Sequence, residues 1–128
     1  MRDSMRALFT ILWQVNSQPN HLEIGLEVNP KARLFEIHFP EMPIVPGACL
    51  IGLVLDRLEN WQGRSLHIAA MARVNFGFPV TPGMRLSLEL RLVSQVRDEW
   101  NLFFSYYAAG GKSTQGTLKF VQCAEEAA

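Results

Sequence analysis

Residues 21–28, HLEIGLEV, place Leu22, Ile24, Leu26 and Val28 on one face and His21, Glu23 and Glu27 on the other. That two-residue period predicts a strand with one face in water. Asn29-Pro30-Lys31 reads as a turn. Pro46-Gly47 opens the one convincing helix, since proline loses nothing at a first helical position. Ala48 to Leu55 is apolar almost all the way round, so most sides of this helix should be buried. Polarity returns at Asp56, Arg57, Glu59 and Asn60, where the helix should emerge, and Gly63 suits its stop. Residues 65–76 read as a mixed apolar strand, and Pro79 to Gly83 as a turn. MRLSLELRLV, 84–93, alternates cleanly, with Met84, Leu86, Leu88, Leu90 and Leu92 inward. Asp98-Glu99 marks a hairpin tip, and Trp100, Leu102, Phe104 and Tyr106 share one face of the next strand. Gly110-Gly111-Lys112 makes another turn before a last strand from Thr114 to Val121, and the tail AEEAA should fray. One apolar helix needs a cover, and the only large apolar surface on offer is a face of the sheet. The expectation is α+β: an antiparallel sheet wrapped around one long central apolar helix, as a single domain over residues 1–128.

Composition narrows the function classes. Lys plus Arg and Asp plus Glu number 12 each, so the formal net charge is zero. Nucleic-acid binding, which needs a basic excess on some face, is not expected. A chain of 128 residues that is 48% hydrophobic can build a core without disulfides or metals. Cys49 and Cys123 read as two thiols in a reducing cytoplasm. Ala48 to Leu55 is too short to span a membrane. Arg2 and Arg6 before the apolar run Ala7 to Trp13 loosely mimic a signal peptide, but Asp3 interrupts the basic region and no small-residue cleavage site follows. That run is read instead as a first strand or an entry segment.

The segment from His38 to Gly47, HFPEMPIVPG, changes the picture most. His38-Phe39-Pro40, then Pro43, then Pro46-Gly47 opening an apolar helix, resembles the motif of the hotdog-fold 3-hydroxyacyl-thioester dehydratases. The approach PKARLFEIHF (30–39) and the block RVNFGFPVTPGMRLSLELRL (73–92) look like the same family, so the resemblance covers about residues 20–122. It resembles the small dehydratases found with aryl-polyene-type biosynthesis. The fold implied is the hotdog fold.

The chemistry implied has clear requirements. Dehydrating a 3-hydroxyacyl thioester needs a base for the proton beside the carbonyl, a donor to the thioester oxygen and an acid for the leaving hydroxyl. By resemblance, His38 is the base, and histidine suits that role because its pKa lies near working pH. The backbone N–H of Gly47, at the positive end of a helix, would bind the thioester oxygen. Phe39, Pro46, Leu50, Leu53 and Val54 would line the acyl site. His21 and His67 fall on strand patterns and are read as ordinary strand residues.

One position departs from the family. The usual helix carboxylate lies fourteen residues after the histidine, and that position is Gly52 (38 + 14 = 52). Asp56, one turn later on the same helix face, and Glu41 in the motif loop are the candidate replacement acids. Three readings stay open: a dehydratase with an altered acid, a non-catalytic acyl-binding or partner hotdog subunit, and, least favoured, a hotdog thioesterase. The implied partner is an acyl chain on acyl carrier protein or CoA. The implied assembly is a homodimer or higher even oligomer with the site between subunits, and no metal or cofactor is expected.

Overall fold

The computed structural model describes residues 8–37, 41 and 43–123. In chain order it contains β1 (Phe9–Gln18), β2 (His21–Val28), a short α1 (Leu34–Ile37), the long α2 (Gly47–Gln62), β3 (Leu66–Phe76), β4 (Arg85–Val96), β5 (Glu99–Ala108) and β6 (Gly111–Gln122). The strands form a single antiparallel sheet in the order β1-β2-β4-β5-β6-β3. α2 lies on one face of it. This is the hotdog arrangement expected from the sequence.

Alternation decides which face the helix covers. Leu22, Ile24 and Leu26 of β2 pair in register with Leu90, Leu88 and Leu86 of β4, and all six are buried. Leu102, Phe104 and Tyr106 of β5 and Leu118 and Phe120 of β6 extend the same layer. Leu50, Leu53, Val54 and Leu58 of α2 close it from above. Each such side chain gains roughly 1.5–3 kcal/mol by leaving water, so shifting any strand by one residue would forfeit the whole layer.

Two features differ from the sequence expectation. The first is the position of β3. It does not pair with β4, the strand that follows it in sequence, but crosses to pair with β6, and so becomes an edge strand. The second is the C-terminal half of α2. Asp56 and Glu59, expected where the helix emerges, are both buried. Glu59 accepts a hydrogen bond from the Leu66 N–H at 2.8 Å and so ties the helix to the start of β3. Asp56 accepts from the Arg57 guanidinium, Nε at 3.1 Å and Nη2 at 2.9 Å. Burial of these two carboxylates is offset by donors that sequence periodicity does not reveal. The helix stops where expected: Gly63 has φ 67°, and its N–H donates to the Glu59 carbonyl at 2.8 Å. Among the described residues no helix is long and apolar enough to cross a membrane.

Candidate active site

The N-terminus of α2 opens into a cleft of about 330 Å³. One wall is Ile44 to Gly47 with Leu50, and the other is Phe76 to Val80, with Thr114 of β6 at its back. Local hydrogen bonds fix both walls. The Val45 N–H donates to the Val80 carbonyl at 2.7 Å, joining the approach to the helix with the turn after β3. The Gly77 N–H donates to the Ser113 carbonyl, and the Ser113 hydroxyl donates to the Phe78 carbonyl at 3.0 Å. Two prolines in these walls, Pro46 and Pro79, restrict the backbone further.

Gly47 is the first residue of α2 and lines this cleft. The first intrahelical bonds run from the Cys49 and Leu50 N–H groups to the Pro46 carbonyl. The N–H groups of Gly47 and Ala48 precede these bonds, have no acceptor within the helix, and lie at its positive end. Such donors can hold a developing oxyanion. Glycine also leaves room for the Phe76 ring: a Cβ at residue 47 would come within 2.5 Å of its Cε1, so the ring would have to move. Phe76 itself is 56% exposed, so its ring borders the cleft from the sheet edge without being locked in the core.

A buried tyrosine secures the helix start. The Tyr106 hydroxyl donates to the Leu50 carbonyl at 2.6 Å, and its ring meets Phe104 edge-on at 6.2 Å. Burial, with a smaller contribution from nearby Cys49, pushes the Tyr106 phenol well above its ordinary value of 10.0. Burial likewise raises the Cys49 thiol above its ordinary 9.0. Both groups are neutral at neutral pH and serve as structure beside the site.

The sequence-expected residues distribute as follows. Gly47, Pro46 and Leu50 come together in the cleft. Leu53 and Val54 are packed in the core under the sheet. Asp56 stands nine residues beyond Gly47, about 14 Å along the helix axis, with its carboxylate held by Arg57. Glu41 is exposed. His38, Phe39 and Pro40 lie outside the described residues. Phe76 and Tyr106 were not singled out from the sequence as site residues. A tyrosine among buried apolar strand residues does carry a signal, because its hydroxyl must find a partner.

By sequence, the chain is similar to known dehydratases. The family model for the ApeI dehydratase, ApeI-like, matches residues 14–117. The 3-hydroxyacyl-[acyl-carrier-protein] dehydratase FabZ of Legionella pneumophila is 37% identical over 83 residues, which cover 57% of this chain and 55% of that protein. The FabZ of Oleidesulfovibrio alaskensis is 29% identical over 93 residues, 66% of this chain and 60% of that protein. The match therefore spans little more than half the length of these curated relatives. Among solved structures, the dehydratase heterocomplex ApeI:P from Xenorhabdus doucetiae superposes with a TM-score of 0.78 at 23% identity, covering 88% of this chain and 97% of that one. That likeness establishes the fold. With the family match extending over most of the chain, this protein belongs to the ApeI-like dehydratase family.

Proposed function

We propose that the chain is a (3R)-hydroxyacyl-thioester dehydratase, a hydro-lyase acting on acyl chains carried by acyl carrier protein or CoA in the cytoplasm. The observation that carries this reading is the N-terminus of α2. Gly47, the first residue of that helix, lines an apolar cleft, its N–H has no acceptor within the helix, and the His38-Phe39-Pro40 motif leads into it in sequence. The thioester oxygen would accept from the Gly47 N–H. His38 would take the proton from the carbon beside the carbonyl, and the resulting electron pair would form the double bond as the C3–O bond breaks. The departing hydroxide needs a proton. Position 52 is glycine, and Asp56 is held by Arg57. In this reading the proton taken by His38 is returned to the leaving oxygen, so water departs and histidine regains its starting form.

The edge strand β3 supports a two-copy site. It is 11 residues long, has a single charged residue in Arg73, and leaves Met71 61% exposed. Such an edge favours pairing with another strand, and a second copy is the occupant proposed. Gly52 favours one other reading, in which the chain is a non-catalytic subunit of a two-protein dehydratase. The solved relative from Xenorhabdus doucetiae is itself a heterocomplex.

The test is to incubate the purified protein with a 3-hydroxyacyl-acyl carrier protein and follow the enoyl product by mass spectrometry. Turnover that falls more than about a hundredfold (roughly 2.7 kcal/mol) in His38→Ala but persists in Asp56→Asn supports the single-histidine mechanism. Loss in Asp56→Asn with the fold intact would restore Asp56 as the acid. Turnover only after addition of a second hotdog protein would favour the partner-subunit reading.

A further inference from the structure

The outer face of the sheet, opposite α2, carries a cluster that the dehydration chemistry does not use. His21 and Glu23 are two residues apart on β2, so both side chains stand on that face. Glu89 of β4 lies directly opposite Glu23 in register. His21 Nε2 is 2.8 Å from Glu89 Oε2 and 3.7 Å from Glu23 Oε1. One ligand atom from each of the three residues lies within 4.8 Å of the others. His21 and Glu89 are largely covered, at 18% and 16% side-chain exposure.

Two further observations point to a cation. Glu23 and Glu89 are like charges directly across a strand pair, an arrangement that costs stability unless a positive charge intervenes. Arg91 reaches Glu89 only at 3.7 Å, and its guanidinium lies over the Phe103 ring at 5.8 Å. That aromatic seat lets Arg91 withdraw from Glu89 without losing all its contacts. The second observation is Ser105. It is the register partner of Glu89 on β5, stands on the same face, and is 0% exposed. Its hydroxyl has no hydrogen-bond partner among the described residues, and a buried hydroxyl left unpaired costs stability. A carboxylate that gives one oxygen to a metal is typically fixed by a donor to its other oxygen. Ser105 is in the row to supply that donor.

We infer that His21, Glu23 and Glu89 form a divalent-cation site on the outer sheet face, with Ser105 orienting Glu89, separate from the cleft at α2. One imidazole nitrogen and two carboxylates suit a borderline ion such as Zn2+. Ligand atoms around a tetrahedral zinc stand about 3.4 Å apart at normal bond lengths. The 2.8 and 3.7 Å separations here bracket that value, so side-chain adjustments suffice. The ion would replace repulsion between β2 and β4 with a cross-strand tie.

The test is calorimetric titration of untagged, chelator-treated, dialysed protein with Zn2+, with Co2+ absorption as a second probe. The expected result is one saturable site per chain, weakened more than about tenfold (1.4 kcal/mol) in both His21→Gln and Glu89→Gln. Ser105→Ala weakens it less, and Cys123→Ser leaves it unchanged. Glu89→Gln removes a repulsion, so its fold is expected to survive, which circular dichroism checks. Zn2+ should raise the melting temperature of the natural protein but not of Glu89→Gln. No saturable site, or a site indifferent to both His21→Gln and Glu89→Gln, overturns the inference. So does a site abolished by Cys123→Ser with a thiolate band in the cobalt spectrum, which would place the ion at Cys123 and His67, 3.7 Å apart.

Discussion

In the proposed reaction the Gly47 N–H must stay open to the cleft, and a Cβ at this position would meet the Phe76 ring at close range. Gly47→Ala is therefore expected to push Phe76 toward the space a thioester would enter. Turnover should drop about tenfold or more, equivalent to 1.4 kcal/mol of transition-state stabilisation. The additional change Phe76→Ala should return part of it, and steady-state kinetics on the single and double variants check this. Tyr106 makes a different prediction. Replacing it with Phe leaves the Leu50 carbonyl without its 2.6 Å donor and should cost about 1–3 kcal/mol in chemical denaturation. Its phenol is pushed above 10.0 in the folded chain, so above that pH the unfolded chain loses a proton that the folded chain keeps. Stability is then full below pH 10 and falls as pH rises further. Tyr106→Phe should flatten that alkaline decline in a pH series of melting curves.

At the scale of elements, the parts most legible in the sequence are those whose burial has one cause. β4 shows this best: Leu86, Leu88 and Leu90 alternate in sequence and are all buried against α2. The ends of α2 were also readable, because Pro46-Gly47 and Gly63 set backbone geometry locally. The place of β3 was not, because strand order depends on where a crossover lands. α1 was missed because it is a single turn held by local carbonyls, such as that of Ala32 accepting from the Phe35 N–H at 3.1 Å. Asp56 and Glu59 look like exit residues by periodicity, yet Arg57 and the Leu66 N–H hold them buried. At the site, the motif marked Gly47, but Phe76 reaches it only through β3 folding back across the sheet. β3 also carries a prediction about assembly. Met71→Glu on this exposed edge should convert the proposed even oligomer to monomer in light scattering. If Met71→Glu keeps the natural assembly state, the β3 edge is not the contact.

For the whole molecule, the two faces of the sheet carry separate groups of residues. The inner face packs α2 and holds its N-terminus against the cleft. The outer face presents His21, Glu23 and Glu89. The family is established, while the reaction turns on whether His38 and the α2 N-terminus suffice in a chain with Gly52 at the usual carboxylate position. The most direct measurement uses the purified chain alone with a 3-hydroxyacyl-acyl carrier protein, monitored by mass for loss of one water from the acyl group. The result predicted is enoyl product from the natural chain and essentially none from a correctly folded His38→Ala variant. Undiminished turnover in His38→Ala, or no turnover by the natural chain until a second hotdog subunit is added, would contradict it.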